Sequence, residues 1–439
     1  MKSNDRIKKT LNILKTKQAL TIGRHSEKDF TRKSPLGFEN LCNLLIFREG
    51  KTNQMEIYNF FNKLGKADLA VTKSALTQQR EKLNPEIFKY MNLEYVKKMY
   101  EEIKIKTIDG TELIPCGIDG SVLEVPNTKT VQENIGYIEY SKNKEDKVTA
   151  RAQTSGIYDS CNNIMVQSII KLYGTSEKEL AKEHIEYIEN NMKEIKDRIL
   201  YIFDRAYISI EMLLYLNNRN CKYLFRVSKS VYKKEISQMK SKDEVVKIEL
   251  TANRMNQLKK NLKTSYPKEI SVRVVKVKLD TGEEEILTTN ISKEEINTEK
   301  MKQVYFMRWK IESSYDIIKN KLQIESFSGY SRLAIEQDFY AQILLFNMIE
   351  DIKRETNESI ISGKGKYEYI VNTNILIGIA KYYLLLMSCT EDINKQDELE
   401  EIMLKFIKQN LVAIKPGRKN ERYKFGIKNK YKTNMKRSI

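Results

Sequence analysis

The chain has 439 residues, 41% of them apolar, which is enough for two to four domains and at least one large core. Its 77 Lys plus Arg exceed 59 Asp plus Glu by a formal +18, so a polyanion is the first partner to consider, although usage rich in Lys, Ile and Asn accounts for part of the excess. Five scattered cysteines without a CxxC exclude a disulfide framework and a cysteine zinc site, and fit a reducing cytosol. The basic N-terminus lacks the apolar core of a signal peptide, and the longest apolar run, 375–389, is interrupted by Lys381 and too short for a membrane span.

Residues 1–105 read as helical, from the three-and-four spacing of apolar residues in FENLCNLLIF and MEIYNFFNKL. A turn-like GKAD leads into VTKSALTQQREKL, where Thr72 or Ser74 is the expected N-cap. Lys73, Gln78, Gln79, Arg80 and Lys82 crowd this short helix. It reads either as a recognition helix offering amides and a guanidinium to base edges in a major groove, or as an ordinary solvated face.

The period then changes to two. IKIKTIDGTELIPCGID predicts two short strands joined at Asp109-Gly110, and KVTARAQTSGIYD and NNIMVQSIIKLYG predict two more. Ser176 with Glu179 predicts a capping box for the next helix. The apolar strand ILYIFD follows, and then the helix RAYISIEMLLYLNNRN. This order predicts a mixed α/β sheet domain. Residues 229–299 interrupt it as a mainly β insertion, with a hairpin about Asp280-Thr281-Gly282. Ser292 with Glu295 predicts a second capping box, opening the helix that carries VYFMRWKIESSYDIIKNKL. Residues 325 to about 410 read as helical. The basic, aromatic-studded tail from 416 reads either as a phosphate binder or as a solvated end. The resulting divisions are 1–105, 106–228, 229–299, 300–350 and 351–439.

Three carboxylates stand out. Asp119 and Asp204 close apolar strands, where α/β sheets place their sites, and Glu312 lies mid-helix. Carboxylates without His or Cys partners are hard oxygen ligands, suited to Mg²⁺ or Mn²⁺ and poorly to zinc. The only histidines are His25 and His184, and His184, in a helix of alternating charge, reads as solvated. At about 100° per residue, Tyr305, Arg308, Glu312 and Lys319 share one narrow stripe. Beside a metal-binding Glu312, the phenol, guanidinium and ammonium suit phosphates of a strand being cut.

The spacing Tyr305-x2-Arg308-x3-Glu312-x6-Lys319, with GIDGS, FDRAY, RWKIE and FSGYSRLAIEQDFYAQ, resembles the insertion-sequence-four family of DDE transposases over most of the chain. The resemblance implies an RNase H-like catalytic core (106–228 and 300–350) with a β-rich insertion, a helical N-terminal DNA-binding domain and a helical C-terminal region. It implies catalytic and metal-binding roles for Asp119, Asp204 and Glu312. DNA contacts are implied for Tyr305, Arg308, Lys319, Arg205, Tyr207, Lys73, Gln78, Gln79 and Arg80. The implied activity is Mg²⁺-dependent cut-and-paste transposition, with Mn²⁺ substituting, on double-stranded DNA at the element ends and target. A homodimer in a bacterial cytoplasm, associated with the nucleoid, is implied with it. Some relatives stack a flipped base on a Trp of the insertion. Here the only tryptophan is Trp309, which leaves Tyr232 or Tyr266 as the aromatic faces within 229–299. Two alternatives are a two-metal nuclease that never joins strands and a transposase-derived repressor that binds without cutting.

Overall fold

The computed structural model describes residues 2–140, 147–255, 267–279, 282–360 and 367–415. Tyr266, the Asp280-Thr281 turn residues and the basic tail with Arg418, Lys419, Arg422 and Lys424 lie outside the described residues.

The central feature is one sheet. Its strands in chain order are β1 (Ile114–Glu124), β2 (Tyr137–Tyr140), β3 (Lys147–Asp159), β4 (Ile164–Leu172), β5 (Ile199–Phe203), β6 (Lys222–Val227), β7 (Asp243–Glu249), β8 (Glu269–Lys278) and β9 (Glu284–Thr289). Their spatial order runs β4-β3-β1-β5-β6-β9-β8-β7, with β2 on the N-terminal end of β3. β4, β3 and β1 are mutually antiparallel, and β1, β5 and β6 are parallel. The mixed α/β expectation therefore holds.

The residue 229–299 segment is β-rich as expected, but its strands continue the same sheet, because β9 pairs antiparallel with β6. The apolar alternation of β8 and β9 supplies the reason: Val275 and Leu287 bury against Leu200, Ile202 and Leu224 of the central strands. Only one of the two strands predicted around Asp109-Gly110 forms. Residues 108–113 instead make a tight turn, with Gly110 at φ +76° and the Thr111 amide donating to the Ile108 carbonyl (2.9 Å).

β5 explains why the sheet is covered on both faces. All five of its residues are buried; Tyr201 and Phe203 enter one cluster, and Leu200 and Ile202 the other. A parallel strand enclosed in this way reads as a continuous apolar run, which is what ILYIF is.

The long helix Arg332–Ser359 packs against β4 and ties the N-terminal helices to the sheet. Arg6, 1% exposed, forks onto Asp351 (3.0 and 2.8 Å), and the Tyr95 hydroxyl donates to the same carboxylate (2.7 Å). Asn347 bonds the Met165 backbone of β4 through both its amide oxygen and its amide nitrogen (2.9 Å each).

His184 is fully buried rather than solvated. Its helix, Glu177–Asn191, turns Leu180, Ala181, His184, Ile185 and Ile188 inward, and the alternating charges occupy the outer face. The ring nitrogens lie 2.7 Å from Gln167 Oε1 and 3.0 Å from Ser155 Oγ, and burial pushes the ring's pKa down to about 3. The unfolded chain protonates near 6.5, so between those values it binds one proton more than the folded chain, and stability falls as pH falls. Urea unfolding at pH 7 and pH 5 is expected to show a loss of ~2 kcal/mol from this residue, absent in His184→Gln; an equal drop in both proteins would refute the assignment.

Candidate active site

The parallel register of β1 and β5 sets the site. Gly117 pairs with Ile202 at the end of the ladder, so Asp119 and Asp204, each two residues further on, leave neighbouring strands side by side. Asp204 follows β5 directly, as predicted. Asp119 does not close its strand: β1 runs on to Glu124 because β3 keeps pairing with it, Asp119 opposite Gly156.

The third carboxylate arrives from the other side of the sequence. The helix expected from Ser292 begins at Thr298, capped by the Asn297 side chain, and it is not continuous. It stops at Phe306, turns through Met307 and Arg308 with i→i+3 bonds, resumes over Trp309–Asp316, and widens into a π-helical turn over Ile317–Lys321. The single stripe drawn at a constant 100° is therefore broken, yet its members still meet the sheet. The Tyr305 hydroxyl lies 3.5 Å from Asp204 Oδ1. Arg308 donates to Asp119 Oδ2 (3.4 Å) and to Glu312 Oε1 (2.9 Å). Lys319 Nζ donates to Ser121 Oγ (2.6 Å) and the Val122 carbonyl (2.8 Å). The backbone at Arg308 passes over Gly117, where a Cβ would stand 3.6 Å from Arg308 Cα, in ordinary contact.

Burial pushes the Asp119 carboxyl up; Arg308 opposes this, the Glu312 charge adds to it, and the group settles at about 6. Burial also lifts the Tyr305 phenol to about 12, so it remains a neutral donor. Arg308 is 3% exposed and holds two carboxylates of like charge in one place, as a cation between them would. Among the described residues no three His, Cys, Asp or Glu side chains are gathered closely enough to hold a metal ion.

The other sequence-predicted residues divide by exposure. Arg205, Lys73 and Gln78 are exposed, and Gln79 is partly so. Tyr207 is 1% exposed and does not face a DNA surface; its ring packs in the core, tilted against Phe203. Tyr305 and Arg308 are likewise buried against the carboxylates rather than turned outward. Arg80 is the clearest correction. Its helix, Lys73–Arg80, is capped by Thr72 as expected, but the final turn rotates Arg80 inward. There it donates to Gln337 Oε1 (2.8 Å), the Ala334 carbonyl (2.7 Å), Asp338 Oδ1 (2.9 Å) and Ser328 Oγ. Tyr232 is also buried, beneath the Arg254 guanidinium (5.6 Å), whereas Trp309 is 46% exposed with Arg308 4.9 Å from its ring.

Sequence reading missed Tyr315, whose hydroxyl donates to the Asp119 carbonyl (2.9 Å), and Glu177, whose charge acts on Asp119. Tyr315 lies three residues after Glu312 and gave no separate signal. Glu177 looked like an ordinary acidic first-turn residue.

A chain whose sheet carries two neighbouring aspartates faced by a glutamate helix falls in a class with carboxylate-centred sites. It belongs to the transposase DDE domain family, whose model matches residues 117–348. No curated protein matches it. Among solved structures it is similar to the cryo-EM structure of a piggyBac transposase synaptic complex with hairpin DNA, at 9% identity and TM-score 0.41, covering 91% of this chain and 84% of that one.

The inward turn of Arg80 is testable on the folded protein alone. Arg80→Ala takes from the buried Asp338 the nearer of its two guanidinium partners and is expected to cost about 3 kcal/mol in urea unfolding, while Lys73→Ala stays within ~0.5 kcal/mol. Equal, small effects would return Arg80 to the surface.

Proposed function

We propose that this chain is a cut-and-paste DNA transposase of the insertion-sequence-four type, acting as a dimer on the terminal inverted repeats of its own element in a bacterial cytoplasm. The family match supports transposase chemistry. The observation that carries the finer reading is the convergence of Asp119, Asp204, Glu312 and the rest of the signature at one end of the β1/β5 pair. No helix among the described residues is long and apolar enough to cross a membrane.

By donor type Asp119, Asp204 and Glu312 suit a hard divalent cation, because they offer carboxylate oxygens only, although Arg308 lies between two of them here and the three are not drawn into one closed set. Those three would hold Mg²⁺, or Mn²⁺ in its place; when bound, such ions make water nucleophilic near neutral pH and stabilise the attacking and leaving oxygens of phosphodiester displacement. Arg308 holds Asp119 and Glu312 close to one another, since its guanidinium pairs with both carboxylates. Tyr305 orients Asp204 from the helix side. Lys319 pins the π-helical turn to β1 and so fixes the distance between the Glu312 helix and the Asp119 strand. Arg205, next to Asp204, is exposed and free to meet backbone phosphate from outside.

At the N-terminal end, Lys73, Gln78 and Gln79 present the DNA-facing side of their helix. A cleft of about 460 Å³ lined by Lys73, Thr77, Tyr330 and Ser331 runs beside it. Tyr330, 54% exposed, offers an aromatic face there.

The test uses end-labelled DNA carrying the element termini, incubated with the full chain in Mg²⁺ or Mn²⁺ and resolved on a denaturing gel. Asp119→Ala, Asp204→Ala and Glu312→Ala are each expected to lower strand cleavage about a thousandfold or more while DNA binding persists. Cleavage retained by all three would overturn the active-site reading. Free ends without joined donor and target would leave a nuclease, and binding without any cut would leave a repressor.

A further inference from the structure

The turn that joins β3 to β4, residues 160–163, reaches across to the point where the Glu312 helix breaks. Ser160, 0% exposed, uses all three of its polar groups there. Its amide donates to the Pro115 carbonyl at the start of β1 (2.9 Å), its hydroxyl donates to the Met307 carbonyl (2.8 Å), and its own carbonyl accepts from Lys310 Nζ (2.7 Å). One residue therefore ties the strand that carries Asp119 to the residue before Arg308 and to the first turn of the helix that carries Glu312.

These bonds fall where the helical ladder is interrupted. In an unbroken helix the Met307 carbonyl would accept from the Ile311 amide. Here that amide donates to the Arg308 carbonyl (3.1 Å), and the Met307 carbonyl is met by the Lys310 amide (3.2 Å) and by Ser160 Oγ. The hydroxyl thus holds the tightened turn at a fixed place on the sheet. The anchor is itself braced from elsewhere. Asp159, fully buried, accepts from the Cys161 and Asn162 amides (2.9 and 3.0 Å), the Asn162 side chain (2.7 Å) and the Tyr100 hydroxyl (2.9 Å). Asn162 also exchanges bonds with the Lys106 backbone (2.9 and 3.0 Å). A buried carboxyl with four donors fixes its surroundings, because moving any of them would leave a buried polar group unsatisfied.

We infer that Ser160 and Lys310 are positioning residues for the active site: by fixing the break at Met307 they set where Arg308 meets Asp119 and Glu312. This rests on the proposed catalytic roles of those two carboxylates. Arg308 lies one residue beyond Met307, with its guanidinium 3.4 Å from Asp119 Oδ2 and 2.9 Å from Glu312 Oε1, so a shift of the break moves both contacts together. The Ser160 hydroxyl and the Lys310 ammonium both bond backbone carbonyls, and they act on the carboxylates only through where that backbone lies.

Trp309 is the only tryptophan of the chain and sits between Met307 and Lys310, 46% exposed, so its emission reports on the joint without DNA. The experiment measures acrylamide quenching of Trp309 in the full chain, and single-turnover cleavage of bound terminal DNA, for the natural protein, Ser160→Ala, Lys310→Met, Lys310→Arg and the double variant of the first two. Ser160→Ala and Lys310→Met are each expected to raise the quenching constant and to slow cleavage about tenfold or more, as a displacement of ~1 Å does, with DNA affinity unchanged within about twofold. Residues that served overall stability alone would change neither reading at a temperature where the chain stays folded. Lys310→Arg keeps a donor and is expected to restore both. The double variant should be slowed no further than the slower single one, because both bonds hold one joint. Natural quenching in Ser160→Ala and Lys310→Met, or freer quenching with natural cleavage, would overturn this inference and leave the active site standing. Natural cleavage by Glu312→Ala would overturn the active-site reading instead, and the Trp309 measurement would still judge the joint. Lys310 is exposed, so its variants keep the test decisive if Ser160→Ala folds poorly.

Discussion

Everything at the candidate site depends on the parallel pairing of β1 with β5. A slip of one residue in that ladder would turn either Asp119 or Asp204 to the opposite face. In register, two like charges stand beside each other at a partly buried sheet end, an arrangement that repels itself. Arg308 is what the fold sets against that repulsion. It comes from a helix that breaks at Met307–Arg308, where the backbone lies over Gly117, and its own Nε is left buried without a partner. Cost of this kind collects at sites shaped for chemistry rather than for stability.

The rest of the molecule holds that register still. The helix Arg332–Ser359 acts as a spine: Asp351 receives Arg6 and Tyr95, Asp338 receives Arg80, Gln342 reaches the Leu45 and Ile46 carbonyls, and Asn347 bonds β4. These are polar ties in an apolar setting, most of them shared among several partners, and such networks specify one arrangement of helices rather than many. They also mean that the N-terminal helices share a core with the sheet, so a load on the Lys73–Arg80 helix is borne by the same spine that packs against β4.

The insertion shows how burial can overrule composition. Its charged opening suggested a separate unit, yet β9 completes β6, and its apolar face closes the side of the sheet from which Tyr305 approaches Asp204. Tyr232 is buried in the other core cluster, beneath Arg254, and Trp309 on the broken helix offers an exposed aromatic ring near the carboxylates.

Local chemistry carried much of this into the sequence. The apolar run of ILYIF announced a strand, Thr72 was one of two candidate caps for its helix, and the spacing from Tyr305 to Lys319 announced a shared direction, because each depends on neighbours within one element. What depended on distant partners was not legible. Arg80 and His184 look solvated beside their charged neighbours, and only the long helix, β3 and β4 turn them inward. The break at Arg308, whose backbone lies over Gly117 nearly 200 positions away, has no mark in the local sequence. Glu177 is a helix-start acid in sequence and a neighbour of Asp119 only in space, since no periodicity within a segment records which strand will lie across from it.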